Sequence, residues 1–268
     1  MAAASQQERR AEPATYYCRL NTMAMKQPLP VSQAGEFVER WDSRVNFMFA
    51  PHCPPIAAMR RSAFPPTETI IDAMLALDTT VAIPARLRKH SEYAEKDHNH
   101  LEAFRSMPRS DFMSGSFNLR SQDFGHLDCP GGVLAGFEEA VLQPWREFLF
   151  HNGFEWDRCY PILRVSSANS VSGYHTDQSS VLFWNVRGRK TFHGCREPDR
   201  WVGPPGDSRN HGLPMPVELR EPEDVLSFDV GDGDFVWNHF LTPHWVDSHA
   251  LTLNINLSIG TAARPAYE

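Results

Sequence analysis

The sequence has no C-x-x-C pair: its five cysteines stand far apart, at Cys18, Cys53, Cys129, Cys159 and Cys195. That spacing and the odd number exclude a dithiol redox motif and the paired framework of small secreted domains, and reduced thiols in a cytoplasm are the expectation. Nowhere do eighteen apolar residues run together, so no membrane-spanning helix is expected. The segment from Met1 to Arg10 has no apolar stretch of the kind a secretory signal needs. Basic residues form no block either. The 26 Lys and Arg are scattered among 33 Asp and Glu, giving a formal charge of −7 and a pI near 5.9, which argues against nucleic acid as a partner. No internal repeat is visible, which excludes solenoids and propellers.

What is present fits one domain. At 268 residues and 41% hydrophobic, the chain can bury a single sizeable core. Residues 1–30 are polar and aperiodic and read as a mobile arm. The remainder, 31–268, reads as one catalytic domain: a helical layer over about 31–155, then a β-barrel over about 156–262. Phe37, Val38, Trp41 and Val45 predict a helix over 33–45. The prolines between Ala50 and Pro66 predict an irregular crossing, a candidate cover for a site. Thr67 is expected to cap a helix through Leu77. A more polar helix is expected over 91–104, and a longer one over 132–151 with Pro144 as a kink.

From Cys159 the pattern changes to short runs rich in Val, Ile, Phe and Trp, broken by Gly, Asp, Asn and Pro. Strands are expected at 160–166, 181–186, 190–193, 217–219, 225–228, 235–238, 244–247 and 251–259. That number of short strands suits a small antiparallel barrel or jelly roll, with Phe183, Trp184, Trp237 and Trp245 in its core. The expected fold class is therefore mainly β, with N-terminal helices packed on the barrel.

The chemistry gathers around His175-Thr176-Asp177. In an extended segment residues i and i+2 project to the same face, so both side chains can enter one barrel mouth. An imidazole and a carboxylate, joined by a distant third ligand, make the facial triad of non-haem Fe(II), which leaves positions open for a chelating cosubstrate and O₂. A lone H-x-D arises by chance in many chains. Lys190, fifteen residues on and just past a turn at Gly188, adds a cation suited to the far carboxylate of a dicarboxylate. Arg189 is its rival, since alternation lets only one of the two point inward. Arg164 is a further inward candidate, for a substrate carboxylate or as a structural ion-pair partner. His98 and His100 read as exposed.

These residues resemble the JmjC-like and cupin-like Fe(II)/2-oxoglutarate dioxygenases, particularly the asparaginyl-hydroxylase branch. The resemblance runs from about Arg164 to Gly260. His175, Asp177, Gly188 and Lys190 match its H-x-D and G-x-K spacing. Gly233-Asp234-Phe235-Val236-Trp237 resembles its Gly-Asp turn and strand, and Pro243-His244-Trp245-Val246-Asp247-Ser248 resembles the segment with the distal histidine. Ile255-Asn256-Leu257 is similar to a Val-Asn-Phe segment. Departures are Thr242-Pro243 in place of Trp-Trp and Val181 where an asparagine is common.

The resemblance implies a double-stranded β-helix, Fe(II) held by His175, Asp177 and His244, and 2-oxoglutarate held by Lys190, Ser172 and Asn256. His239 and His249 compete with His244 for the third place. The implied activity is hydroxylation, desaturation or ring closure at a C–H bond of a small amino-acid-like or natural-product molecule. The carboxylate of Asp177 speaks against halogenation. A JmjC-type protein side-chain hydroxylase, a non-catalytic cupin-like binding protein and a 2-oxoglutarate-independent non-haem iron enzyme are the alternatives. The oligomeric state is not readable from the sequence, although barrels of this kind frequently pair as homodimers through added helices.

Overall fold

The computed structural model describes residues 28–41, 43–77, 105–121, 124–201, 219 and 223–260, with the backbone of 86–88 and 262–263. The arm before residue 28, the polar helix over 91–104 with His98 and His100, and most of the strand at 217–219 lie outside the described residues. Among the described residues no helix is long and apolar enough to cross a membrane.

The strands in chain order are β1 (Phe47–Met48), β2 (Arg86–Arg88), β3 (Asn118–Ser121), β4 (Glu155–Trp156), β5 (Tyr160–Ser166), β6 (Val171–His175), β7 (Val181–Arg187), β8 (Lys190–Cys195), β9 (Val225–Val230), β10 (Asp234–Asn238), β11 (His244–Ser248), β12 (Thr252–Ser258) and β13 (Ala262–Ala263). A seven-stranded sheet runs β1-β10-β7-β12-β5-β3-β2, and a four-stranded sheet runs β6-β11-β8-β9. Every pairing in both is antiparallel. The two form a jelly roll. Phe183 and Val236 of the large sheet meet Phe192, Phe228, Val230 and Val246 of the small one between the sheets.

The larger core is elsewhere. Leu182 and Trp184 of β7, Trp237 of β10, and Leu253, Ile255 and Leu257 of β12 face the helical layer, where Phe37, Ile70, Met74 and Trp145 are fully buried. Alternation makes the consequence plain: β12 reads Thr-Leu-Asn-Ile-Asn-Leu-Ser, so when its apolar side turns to the helices, Asn254 and Asn256 turn inward. A strand whose polar side faces the interior marks where that interior serves as a site. Of the aromatics expected in the barrel core, only Phe183 lies between the sheets. Trp184 and Trp237 pack on the helical side, and Trp245 packs with Tyr174 on the outside of the small sheet.

Several expectations change. The N-terminal part is not purely helical, because β1, β2 and β3 extend the large sheet. The proline-rich crossing contains a helix, Pro54–Met59, because Pro54 and Pro55 occupy the first turn, where no backbone N–H is needed. It is also no cover for the cavity: Phe64 packs edge-on against Trp184, and Arg187 donates to the carbonyls of Phe64 and Pro65, all on the helical side. Thr67 is the first helical residue; Pro66 holds the cap position, without a side-chain hydrogen bond. The helix expected over 33–45 ends at Trp41. That over 132–151 starts as turns, passes through a wider π-helical turn over Glu138–Leu142 and becomes α-helical over Gln143–His151. Pro144 lies at that junction, where its missing N–H is absorbed.

Candidate metal centre

The tight turn at Gly188 carries the chain from β7 in the large sheet to β8 in the small one. Its φ of +88° lies in the left-handed region, and a Cβ there would stand 2.4 Å from the carbonyl oxygen of Leu251. Beyond the turn, Lys190 opens β8 and points inward, 4% exposed, while Arg189 is exposed to solvent. Arg189 is thereby removed as the inward cation.

Antiparallel pairing of β6 with β11 places His244 directly across from His175, with a register shift between His244 and Val246. Their ring centroids are 4.2 Å apart. Asp177 follows two residues after β6 ends, in a turn whose carbonyl accepts a hydrogen bond from the Leu241 amide at 2.9 Å. Its two carboxylate oxygens lie 3.8 Å from Nε2 of His175 and 3.5 Å from Nε2 of His244. One donor atom from each of the three residues falls within 4.8 Å of the others. His239 sits edge-on to Trp41, and His249 contacts the Thr191 hydroxyl, so neither joins the cluster.

The backbone prepares both imidazoles. Nδ1 of His175 lies 2.6 Å from the Gly173 carbonyl, and Nδ1 of His244 lies 3.0 Å from the Thr242 carbonyl. A carbonyl can only accept, so each Nδ1 carries its proton and Nε2 is the ring nitrogen left to face the centre. Burial first, then the neighbouring His244, pushes the His175 pKa down and keeps that ring neutral. Phe192 stacks nearly parallel on His244, with centroids 5.4 Å apart, and fixes its plane.

The same cavity is lined by Lys190, Ser172, Asn256, Asn254, Arg164 and Phe183. The Lys190 ammonium donates to the Asn254 Oδ1 at 2.8 Å and to the Ser166 hydroxyl at 3.2 Å. Among the described residues no carboxylate pairs with it. Burial first, and Arg164 second, bring its pKa down to about 7. A buried cation satisfied only by neutral oxygens is costly unless an anionic guest shares its cavity.

No family model matches the sequence, and no curated protein matches it either. Solved structures do. YcfD of E. coli, seen by X-ray, aligns at a TM-score of 0.53 and 16% identity over 85% of this chain and 52% of its own. YcfD described as a ribosomal oxygenase from Escherichia coli, in complex with cobalt and succinic acid, aligns with the same score and identity over 85% and 51%. In complex with cobalt and 2-oxoglutarate it aligns at 0.51 and 17%, again over 85% and 51%. The chain has their fold. It spans about half the length of these structures.

Sequence reasoning missed several residues of the cavity. Asn254 was within reach, since it lies two residues before Asn256 and so on the same face of β12. Ser166 shares a face with Arg164 by the same rule. Strand β6 itself escaped notice because Val-Ser-Gly-Tyr-His carries few strand-forming residues. Asn118 on β3 gave no signal at all; only the sheet order brings it to the cavity.

Proposed function

We propose that this chain is an Fe(II)/2-oxoglutarate-dependent oxygenase. His175, Asp177 and His244 would hold the metal, and Lys190, Ser172 and Asn256 would hold 2-oxoglutarate. Two neutral imidazole nitrogens and one carboxylate oxygen suit a divalent ion of the Fe(II) type and leave one side of it open. The observation that carries the reading is the pairing of this donor set, in one cavity, with the buried Lys190, which no carboxylate pairs with among the described residues. When bound, the metal and cosubstrate supply activation of O₂ for oxidation of a C–H bond.

The residues of the chain have separate tasks. The carbonyls of Gly173 and Thr242 hold both imidazoles in the ligating tautomer. Lys190 neutralises the distal carboxylate of the cosubstrate, and Asn254 and Ser166 keep the ammonium aimed at it. Phe183 and Phe192 exclude water from this end. The Asp177 carboxylate fills the place that a halide would need, which favours hydroxylation, desaturation or ring closure.

For the substrate, a small amino-acid-like or natural-product molecule is the first reading. The described cavity beside Asp177 measures about 130 Å³, the size for one small molecule or one side chain. A protein side chain is the second reading, favoured by the shared fold with a ribosomal oxygenase.

The test is anaerobic reconstitution with Fe(II) and 2-oxoglutarate, followed by admission of O₂. A weak visible charge-transfer band and then succinate are expected. An inert binding protein gives neither, and a 2-oxoglutarate-independent oxygenase consumes O₂ without succinate. If Lys190→Ala leaves 2-oxoglutarate dependence untouched, the cosubstrate assignment is wrong.

A further inference from the structure

Asn238, the last residue of β10, carries a buried donor without an acceptor: the side chain is 1% exposed, and Nδ2 has no hydrogen-bond partner among the described residues. An unpaired buried amide costs stability, and its persistence in the wall of a cavity points to a guest that accepts from it. The direction of the amide is fixed by its neighbour. Asn46 Nδ2 donates to Asn238 Oδ1 at 2.7 Å and to the Trp237 carbonyl at 3.3 Å. That carbonyl can only accept, so Asn46 turns its NH₂ that way and Asn238 answers with its oxygen. Asn46 is itself packed against Gly194, where a Cβ would stand 2.0 Å from its Oδ1. Nδ2 of Asn238 is the end left over.

Strand geometry tells where that end serves. Phe235 and Trp237 belong to the core on the helical side and Val236 to the space between the sheets, so alternation gives Asn238 the inner face. It lines the metal cavity and not the neighbouring one beside Asp177. Along the large sheet Asn238 pairs with Val181, whereas Asn254, which holds the Lys190 ammonium, pairs with Asn185. Those two positions on β7 lie about 13 Å apart at the rise of a strand. The turn that follows Asn238 contains Leu241, whose amide donates to the Asp177 carbonyl. Asn238 therefore stands at the metal end of the cavity, away from Lys190, and the side chain of its register partner Val181 has nothing to donate.

We infer that Asn238 is a binding residue for the cosubstrate, its Nδ2 donating a hydrogen bond to the carboxylate at the metal-binding end of 2-oxoglutarate. Chelation by a 2-oxo acid engages one oxygen of that carboxylate and leaves the other in need of a donor, and an N–H given to a charged oxygen is one of the stronger hydrogen bonds. A neutral amide supplies it without adding charge beside the two imidazoles. This deepens the proposed function and rests on it.

The test titrates the full chain, loaded with Mn(II), with 2-oxoglutarate in a calorimeter, for the wild type, Asn238→Leu and Asn238→Asp. Asn238→Leu removes the donor with little change of shape. Its Kd for 2-oxoglutarate should rise about tenfold or more, the loss of a charge-assisted contact, while its affinity for Mn(II) alone stays that of the wild type. Asn238→Asp keeps the oxygen that Asn46 needs and sets an anion where the donor was, so it should bind 2-oxoglutarate more weakly still. It keeps the test open should Asn238→Leu misfold. A second readout is the charge-transfer band formed anaerobically with Fe(II) and saturating 2-oxoglutarate. Without the hydrogen bond the acceptor orbital of the cosubstrate rises in energy, so the band of each variant should lie at shorter wavelength than that of the wild type. A purely structural asparagine would leave it in place. Unchanged 2-oxoglutarate affinity, a matching loss of Mn(II) affinity in Asn238→Leu, or an unmoved band would overturn the assignment. Failure of the wild-type chain to bind 2-oxoglutarate at all sinks instead the function on which the inference rests.

Discussion

At the scale of single residues, Lys190 makes the sharpest statement. Its pKa is about 7 when folded and near the ordinary 10.5 when unfolded, so between these values the unfolded chain binds more protons. Stability of the ligand-free chain should therefore rise with pH across that window, by up to about 1.4 kcal/mol per pH unit from this one group. Lys190→Met should abolish that component, which urea midpoints at pH 7 and pH 9 for the two chains would measure. A bound carboxylate reverses the effect by favouring the charged amine. Binding of 2-oxoglutarate should then take up a proton above pH 7 and weaken as pH rises, a trend that disappears in the variant. Calorimetry in buffers of different ionisation enthalpy reads that proton directly. The triad gives a second prediction: Mn(II) should raise the melting temperature of the wild-type chain by mass action, and Asp177→Ala or His244→Ala should lose that increment. His239→Ala should keep it, because His239 packs on Trp41, away from the cluster.

Elements explain why the site is where it is. Strand β12 turns Leu253, Ile255 and Leu257 to the helices and Asn254 and Asn256 to the cavity. Its alternation was readable in the sequence, but which face meets the core was not, because a strand lying between a helical layer and a second sheet has a neighbour on each side. The helix over Ala34–Trp41 supplies Phe37, whose ring lies within 6.2 Å, centroid to centroid, of Phe47, Phe49, Trp145, Phe148, Phe154 and Trp237. Phe37→Ala should cost about 3–5 kcal/mol of stability, measurable by chemical denaturation. Metal affinity of the folded fraction should stay as it is, since the ring packs on the side of the large sheet turned from the cavity. Gly188→Ala should also destabilise, because it combines a positive φ with a clash against the Leu251 carbonyl.

For the whole molecule, the helical layer is a structural necessity. The outer face of the large sheet carries Trp184, Trp237, Leu253, Ile255 and Leu257, all 2% exposed or less because helices cover them. A fragment of residues 156–262 alone would expose that face and lose β1, β2 and β3. It should fail to give a soluble, cooperatively unfolding protein, as expression and thermal denaturation would reveal. That outcome would make helical layer and barrel one folding unit, although the sequence reads as helices followed by strands.

What the sequence determined by itself was local. His175-Thr176-Asp177, the Gly188 turn before Lys190, and most strands of the C-terminal half follow from spacing and alternation over a few residues, and those rules survive in any fold. Tertiary structure decided everything that depends on partners far along the chain. It placed His244, and not His239 or His249, beside His175 and Asp177 by setting β11 across from β6, and it turned Lys190 inward and Arg189 outward by fixing the faces of β8. It also brought Arg120 from β3 beside Arg164 on β5, with 43 residues between them in the chain. Strand register carries no local signature, because it is set by the fit of whole sheets, and so the meeting of His175 with His244 becomes visible only once the sheets are assembled.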